Sequence, residues 1–280
     1  SYRLDHIANV VLGEKKLSYE EHGSLFSLYK NDFQKFIDYN IKDVELVDRL
    51  EDKMGLITLA MTIAYKGGVN YQDTFGTTAI WDTIIYRKLH ENKIVVPFSE
   101  DKTKSSYPGG YVKDPQVGIH DNVVSFDLNS LYPSIIMQYN MSPETIAEGE
   151  GSKVDIEAVL TKSQRPDNLG KALAANGQVF NTDKVGIIPL IIDEMYQERV
   201  GIKDNMIKAQ KELQKVDKDD KQELYRIEKE ISIAENRQMS IKILLNSLYG
   251  ALGNKYFRFF DQRVAEAITL TGQLTIRWAE

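Results

Sequence analysis

Asp127 closes a stretch whose residue types could hold a cation and an anion in one corner. In Val123-Val-Ser-Phe-Asp127-Leu-Asn-Ser-Leu-Tyr-Pro-Ser-Ile-Ile136, Val124, Phe126 and Leu128 alternate with Val123, Ser125 and Asp127. That is the pattern of a half-buried strand. A turn through Asn129 and Ser130, both helix-capping types, should lead into a helix whose first turn accepts Pro133. A carboxylate beside the free N–H groups of a helix start suits a metal ion and a phosphate together. A lone aspartate there is more often a solvated acid or a cap, so its context has to decide.

A second group is cationic. Arg199 and Lys203 are spaced by four, as are Lys242 and Asn246, so each pair shares a helix face. Guanidinium binds polyphosphate bidentately and ammonium binds it as a point charge. Lys203 taken alone is an ordinary solvated lysine. Two smaller constellations lie upstream. Tyr39 and Asp43 stand four apart on one helix, where a plain surface Tyr–Asp pair is the commoner role. Tyr107-Pro-Gly-Gly-Tyr111 carries glycines that let a backbone approach a phosphate, although a linker turn fits that composition nearly as well.

These residues need elements to hold them. Leu4, Ile7, Ala8 and Val11 predict a helix that Gly13 can close. Asp32 can cap a helix over 32–54, with Phe33, Phe36, Ile37, Ile41, Val44, Val47 and Leu50 as its apolar side. Trp81, Ile84, Ile85 and Leu89 form a core stripe, and the turn-rich run 99–118 marks a boundary. A short strand is expected at Gln178-Val-Phe180. From Ile192 to Val216, and from Leu224 to Leu248, apolar residues recur at three and four. Those two seams specify an antiparallel helical hairpin with arms of roughly 40 Å. Arg199 and Gln238 are its facing polar interruptions. Asp261 caps a last helix packed through Val264, Ala267, Ile268, Thr271, Leu274 and Trp278.

Composition narrows the classes. The 280 residues hold no cysteine, which removes disulfides and cysteine zinc sites. No apolar run is long enough for a bilayer and no signal-peptide pattern opens the chain, so no membrane association is expected. A net charge of −6 argues against a surface that grips nucleic acid everywhere, while leaving room for a local basic groove. The start without Met and the finish inside a helix read as a segment of a larger protein.

Asp127-Leu-Asn-Ser-Leu-Tyr-Pro-Ser-Ile-Ile resembles the first palm motif of family B DNA polymerases, D-x-x-S-L-Y-P-S-I-I. Lys242-Ile-Leu-Leu-Asn246-Ser-Leu-Tyr249-Gly250 resembles the fingers motif K-x-x-x-N-S-x-Y-G, in the right order after it. Tyr39-x-x-x-Asp43 resembles the third proofreading-exonuclease motif, and Tyr107-Pro-Gly-Gly the Y-x-G-G/A motif. Thr269-x-x-Gly272-Gln273 departs from T-x-x-G-R by Gln for Arg and is given no DNA contact. The phrasing is nearest to replicative polymerases of large T-even-type tailed phages.

The resemblance implies an α+β fold: a palm sheet with packed helices, a long antiparallel helical hairpin as fingers, and a helical remnant of an exonuclease domain. The implied segments are the 3′–5′ exonuclease end (1–55), a strip of N-terminal domain (56–98), the first part of the palm (99–187), the fingers (188–253) and a second part of the palm (254–280). It implies template-directed nucleotidyl transfer from dNTPs to a primer 3′-OH with two Mg²⁺ ions. Asp127, a catalytic residue, and the Leu128 carbonyl would bind metal. Ser130, Leu131, Tyr132, Arg199, Lys203, Lys242 and Asn246 would bind the nucleotide, with Arg199 and Lys242 also catalytic. Tyr107, Gly109, Gly110, Tyr249 and Gly250 would touch DNA. Tyr39 would orient the exonuclease water and Asp43 would hold its metal. The setting would be the cytoplasm of a phage-infected bacterial host.

The family's D-T-D-S motif is missing, and one carboxylate cannot hold two divalent ions. The segment is therefore expected to be inactive alone and to need the remainder of the polymerase or a complementing subunit. Two alternatives stay open: a non-enzymatic hairpin that docks protein, and one subunit of a split polymerase.

Overall fold

The computed structural model describes residues 2–98, 103, 105–166 and 170–280. The expected boundary at 98/99 abuts residues 99–102 and 104, which lie outside the described residues. Two compact units divide between Met61 and Thr62.

In the first unit, α1 (Leu4–Leu12) ends at Gly13 in the left-handed region at φ +73°. Ser24 caps α2 (Leu25–Asn31) by accepting from the Ser27 N–H at 3.1 Å. Asp32 terminates α2 and caps α3 (Phe33–Met54), accepting from the Lys35 N–H at 3.0 Å. Helices α1 and α2 pack on α3 through Ala8, Leu28, Tyr39 and Leu46. The expected apolar side of α3 is only partly packed: Phe36 and Leu50 are half-buried. Phe33, Ile41, Val44 and Val47 are each more than half exposed. Helices α1 and α2 cover mainly the neighbouring face that carries Tyr39 and Leu46, and Tyr29 of α2 reaches Phe33 and Phe36 at the start of α3.

The chain continues through α4 (Leu56–Gly67), within which the division falls, and α5 (Thr77–Glu91). Next come α6 (Leu131–Gln138), β1 (Ile146–Gly151), α7 (Ile156–Leu160), β2 (Ala172–Leu173) and β3 (Gln178–Phe180). The strands form an antiparallel sheet of order β1-β3-β2. Helices α8 (Ile187–Leu213) and α9 (Lys221–Leu252) make the antiparallel hairpin, and α10 (Gln262–Ala279) follows. No helix of the described residues is long and apolar enough to cross a membrane.

The hairpin base is the core of the second unit. Ile192 and Met195 of α8, with Ile241, Leu245 and Leu248 of α9, are buried against α5 and α6. Each such side chain contributes on the order of 1.5–3 kcal/mol. Ion pairs at the rim, Lys88–Glu194 at 2.6 Å and Lys66–Glu198, add about 0–1 kcal/mol each. Apolar packing therefore fixes the direction of the arms. Trp81 is fully buried and donates from Nε1 to Ser247 Oγ at 3.1 Å, tying α5 to the C-terminal part of α9.

Three local expectations need correction. No strand forms over 123–128: Val123, Val124 and Phe126 are more than 70% exposed. Alternation gives a segment two usable faces, but a strand needs a partner, and no described segment pairs with this one. Ser130 adopts φ +51°, and its side chain makes no capping hydrogen bond to α6. Trp278 projects from the last turn of α10 and is 59% exposed rather than packed.

Candidate functional site

The cation group is built by the hairpin. Arg199 of α8 donates from Nε to Gln238 Oε1 of α9 at 3.3 Å, so the two polar interruptions stand at one level. Gln238 is buried and passes a further hydrogen bond from Nε2 to Glu235 at 2.9 Å. Lys203, one turn beyond Arg199, is exposed, as are Lys242 and Asn246 on α9. Neither lysine makes an ion pair among the described residues. Two cations standing free of carboxylates on stiff helices can accept an anion without first breaking a bond.

Below them lies a cluster of tyrosines. Tyr132, in the first turn of α6, faces Tyr249 of α9 with ring centroids 4.9 Å apart and planes inclined by 52°. The hydroxyls of Tyr249 and Tyr107 lie 3.5 Å apart. Burial pushes both the Tyr132 and Tyr249 phenols above their ordinary pKa, with Tyr107 adding to the effect at Tyr249. Both are therefore neutral rings at physiological pH. The 107–110 turn is stitched to α10: Thr269 Oγ1 donates to the Pro108 carbonyl at 2.9 Å and Gln273 Nε2 to the Gly109 carbonyl at 2.6 Å. Tyr107, Gly109, Gly110, Tyr132 and Tyr249 thus belong to one neighbourhood. Gly250 is exposed on α9 beside Tyr249.

Asp127 is exposed on the unpaired segment, and makes no hydrogen bond or ion pair among the described residues. Leu128 is exposed beside it. The turn Asn129–Ser130 then delivers the chain into α6, where the Leu131 and Tyr132 N–H groups have no intrahelical acceptor. Ser134 closes the corner, its N–H bonding the Ser130 carbonyl at 2.9 Å.

In the first unit Tyr39 and Asp43 do not form a plain surface pair. Tyr39 is buried and stacks edge-on against Tyr19, with centroids 5.4 Å apart. Lys16 Nζ lies 2.6 Å from Asp43 Oδ2 and 4.8 Å from the Tyr39 ring centroid. Burial works to lower the Lys16 pKa, but its hydrogen bonds to Asp43 and Tyr39 outweigh that and raise it. Asp43 Oδ1 is buried without a partner.

Sequence reasoning missed Lys16, Thr269 and Gln273; it placed Trp81 in the core, where it is buried, without foreseeing its bond to Ser247. A lysine in a loop has no signature, and Trp81 read simply as core. The T-x-x-G-Q spacing was the one available signal for the α10 residues.

A cation-bearing hairpin standing over a cluster of neutral aromatic rings and a glycine turn is suited to a ligand with a polyanionic end and a flat or sugar-like end. The family model described as DNA polymerase family B matches residues 76–229 and 228–280. This chain belongs to that family. Over its full length it is 32% identical to the DNA-directed DNA polymerase of Escherichia phage RB69, covering 35% of that protein. It is 31% identical to the enzyme of the same name from Enterobacteria phage T4 over 99% of the chain, covering 34%. Against DNA polymerase II of Escherichia coli strain K12 it is 26% identical over 99% of the chain, covering 30%. The chain thus spans about a third of the length of these relatives.

Proposed function

We propose that this chain is the nucleotide-loading portion of a DNA-directed DNA polymerase, binding a dNTP between the hairpin and the tyrosine cluster. The observation that carries the reading is the hairpin register, which sets Arg199 level with Gln238 and leaves Lys203 and Lys242 free of carboxylate partners. Arg199, Lys203 and Lys242 hold the triphosphate, and Asn246 hydrogen-bonds beside them. The Ser130 and Leu131 N–H groups receive the inner phosphates. Tyr132 lies under the deoxyribose, and Tyr249 with Gly250 packs against the new base pair. Tyr107, Gly109 and Gly110 face template backbone. Residues 1–55 belong to the exonuclease fold, where Tyr39 and Asp43 are the water-orienting and metal-binding pair. The palm and fingers divisions at 99–187, 188–253 and 254–280 belong to the same reading.

The Mg²⁺ ions of this chemistry are not accommodated by the residues present. No group of three or more His, Cys, Asp or Glu side chains able to hold an ion occurs among the described residues, and each divalent ion needs several oxygens. Asp127 and the Leu128 carbonyl are at most part of such a site, and Lys16 already occupies Asp43. Nucleotidyl transfer therefore needs the remainder of a polymerase or a complementing subunit, with primer–template DNA as the other partner.

Titration of dATP into the 280-residue chain with Mg²⁺ present tests the reading. Weak binding is expected, reduced by at least roughly tenfold in Arg199→Ala or Lys242→Ala, as for loss of a charge-assisted contact. A protein-docking arm would bind no nucleotide. Primer extension by this chain is expected to be undetectable; extension that survives Asp127→Ala would refute the assignment.

A further inference from the structure

The Tyr132 ring is held from three sides. Tyr249 faces it at 4.9 Å. On α10, a Cβ added to Gly272 would stand 2.9 Å from Tyr132 Cε1 and 3.6 Å from Cδ1. A Cβ added to Gly110 would stand 3.3 Å from the Tyr132 hydroxyl. Ordinary contact for a Cβ begins at 3.4 Å, so the gap at Gly272 is about half an ångström too small for a methyl group. Gly110 is itself held in place, because Gln273 and Thr269 bind the carbonyls of Gly109 and Pro108.

We propose that Gly272, together with Gly110 held by Gln273, is a positioning site that seats the Tyr132 ring and so sets discrimination between deoxyribose and ribose. The inference rests on Tyr132 lying beneath the nucleotide sugar. A ring excludes a 2′-hydroxyl only by where its surface stands. A displacement of half an ångström on a steep contact potential removes about a quarter of the attraction, or relieves most of a clash. Packed between α9 and α10, the ring has little freedom to yield on its own. A methyl at position 272 drives it off α10 toward Tyr249, while Arg199, Lys203 and Lys242 stay where they are. The signature is a changed ratio between sugars, with the shared grip on the triphosphate retained.

The test titrates the 280-residue chain with dATP and, separately, with ATP, both with Mg²⁺, using ligand-detected NMR. The unsubstituted chain is expected to bind dATP more tightly than ATP. Gly272→Ala should reduce that preference by at least about threefold, and Gly110→Ala should reduce it in the same direction by less. Arg199→Ala should weaken both nucleotides and preserve the ratio. If Gly272→Ala does not fold, Gly110→Ala alone decides, since its turn is exposed and its φ is not in the left-handed region. A preference for dATP that neither glycine variant alters would overturn the inference and leave the nucleotide-binding reading standing. Failure of the unsubstituted chain to bind either nucleotide would overturn both.

Discussion

Asn140 joins the end of α6 to the start of α8, and its replacement has a cost that can be worked out bond by bond. The residue is 7% exposed and sits at φ +53°, a conformation asparagine tolerates better than most. Its Nδ2 donates to the Asn181 carbonyl at 2.7 Å and the Lys184 carbonyl at 2.8 Å, and its Oδ1 accepts from the Gly186 N–H at 2.8 Å. Asn140→Ala removes all three. Lys184 is exposed and Asn181 half-buried, so water can replace the bonds to their carbonyls and those two losses are small. The Gly186 N–H is buried and would be stranded, at about 1–3 kcal/mol. Alanine also tolerates the left-handed backbone poorly, by about 1 kcal/mol. The total is about 3 kcal/mol. Urea denaturation followed by the fluorescence of buried Trp81 reads it directly, and a loss below about 1 kcal/mol would refute the accounting. Asn140→Asp sharpens the test. At neutral pH it still accepts from Gly186 but turns a charge on two carbonyls, so it should be worse than alanine. Facing those carbonyls, its folded pKa is raised. The folded state then binds the proton more tightly than the unfolded chain, so the deficit should shrink as pH falls toward 4 and reappear as pH rises.

The Trp81–Ser247 hydrogen bond should give a coupling of about 1 kcal/mol in a double-mutant cycle of Trp81→Phe and Ser247→Ala, measured by denaturation. Additive single effects would show that the bond contributes nothing. Tyr249 holds its proton more tightly folded than unfolded, so stability is unaffected by this group below about pH 10 and falls above it. Tyr249→Phe should flatten that alkaline limb in thermal melts at pH 9 to 11; an unchanged limb would place the titration elsewhere. Lys16→Met leaves the Asp43 carboxylate, one oxygen of which is already buried and unpaired, without its cation. Hydrogen exchange in α3 should speed up by roughly tenfold, for about 1.4 kcal/mol lost. The added change Asp43→Asn should restore most of the protection, and no restoration would disprove the pairing argument.

Helices were legible because their reasons are local. Asp32, Gly13 and the seams of α8 and α9 act within a few residues of themselves, and even the Arg199–Gln238 level followed from counting back from the turn. Faces were less legible. The apolar side of α3 was assigned from composition, but which face is covered depends on where α1 and α2 land, and they land beside Tyr39 and Leu46. The segment 123–128 fails for a related reason. Alternation states what a strand could bury, while pairing depends on another segment that the alternation does not mention. Asp127 therefore stands on an open segment, whereas its expected partners Arg199 and Lys242 stand on helices anchored by a core.

The α10 residues show how a departure from a motif can be read once its contact is visible. Gln273 occupies the place of an arginine in T-x-x-G-R, and on spelling alone that removes a cation and with it any role toward DNA. In the fold, the residue's partner is the Gly109 carbonyl, an acceptor that needs an N–H and not a charge. A carboxamide supplies that donor on a shorter side chain. Thr269 performs the same service one carbonyl earlier, and Gly272 between them leaves room for Tyr132. The three positions act as one device that holds a glycine turn and a tyrosine ring together. What the spacing retains is the direction of two donors and one gap, and glutamine supplies its share through one carboxamide N–H.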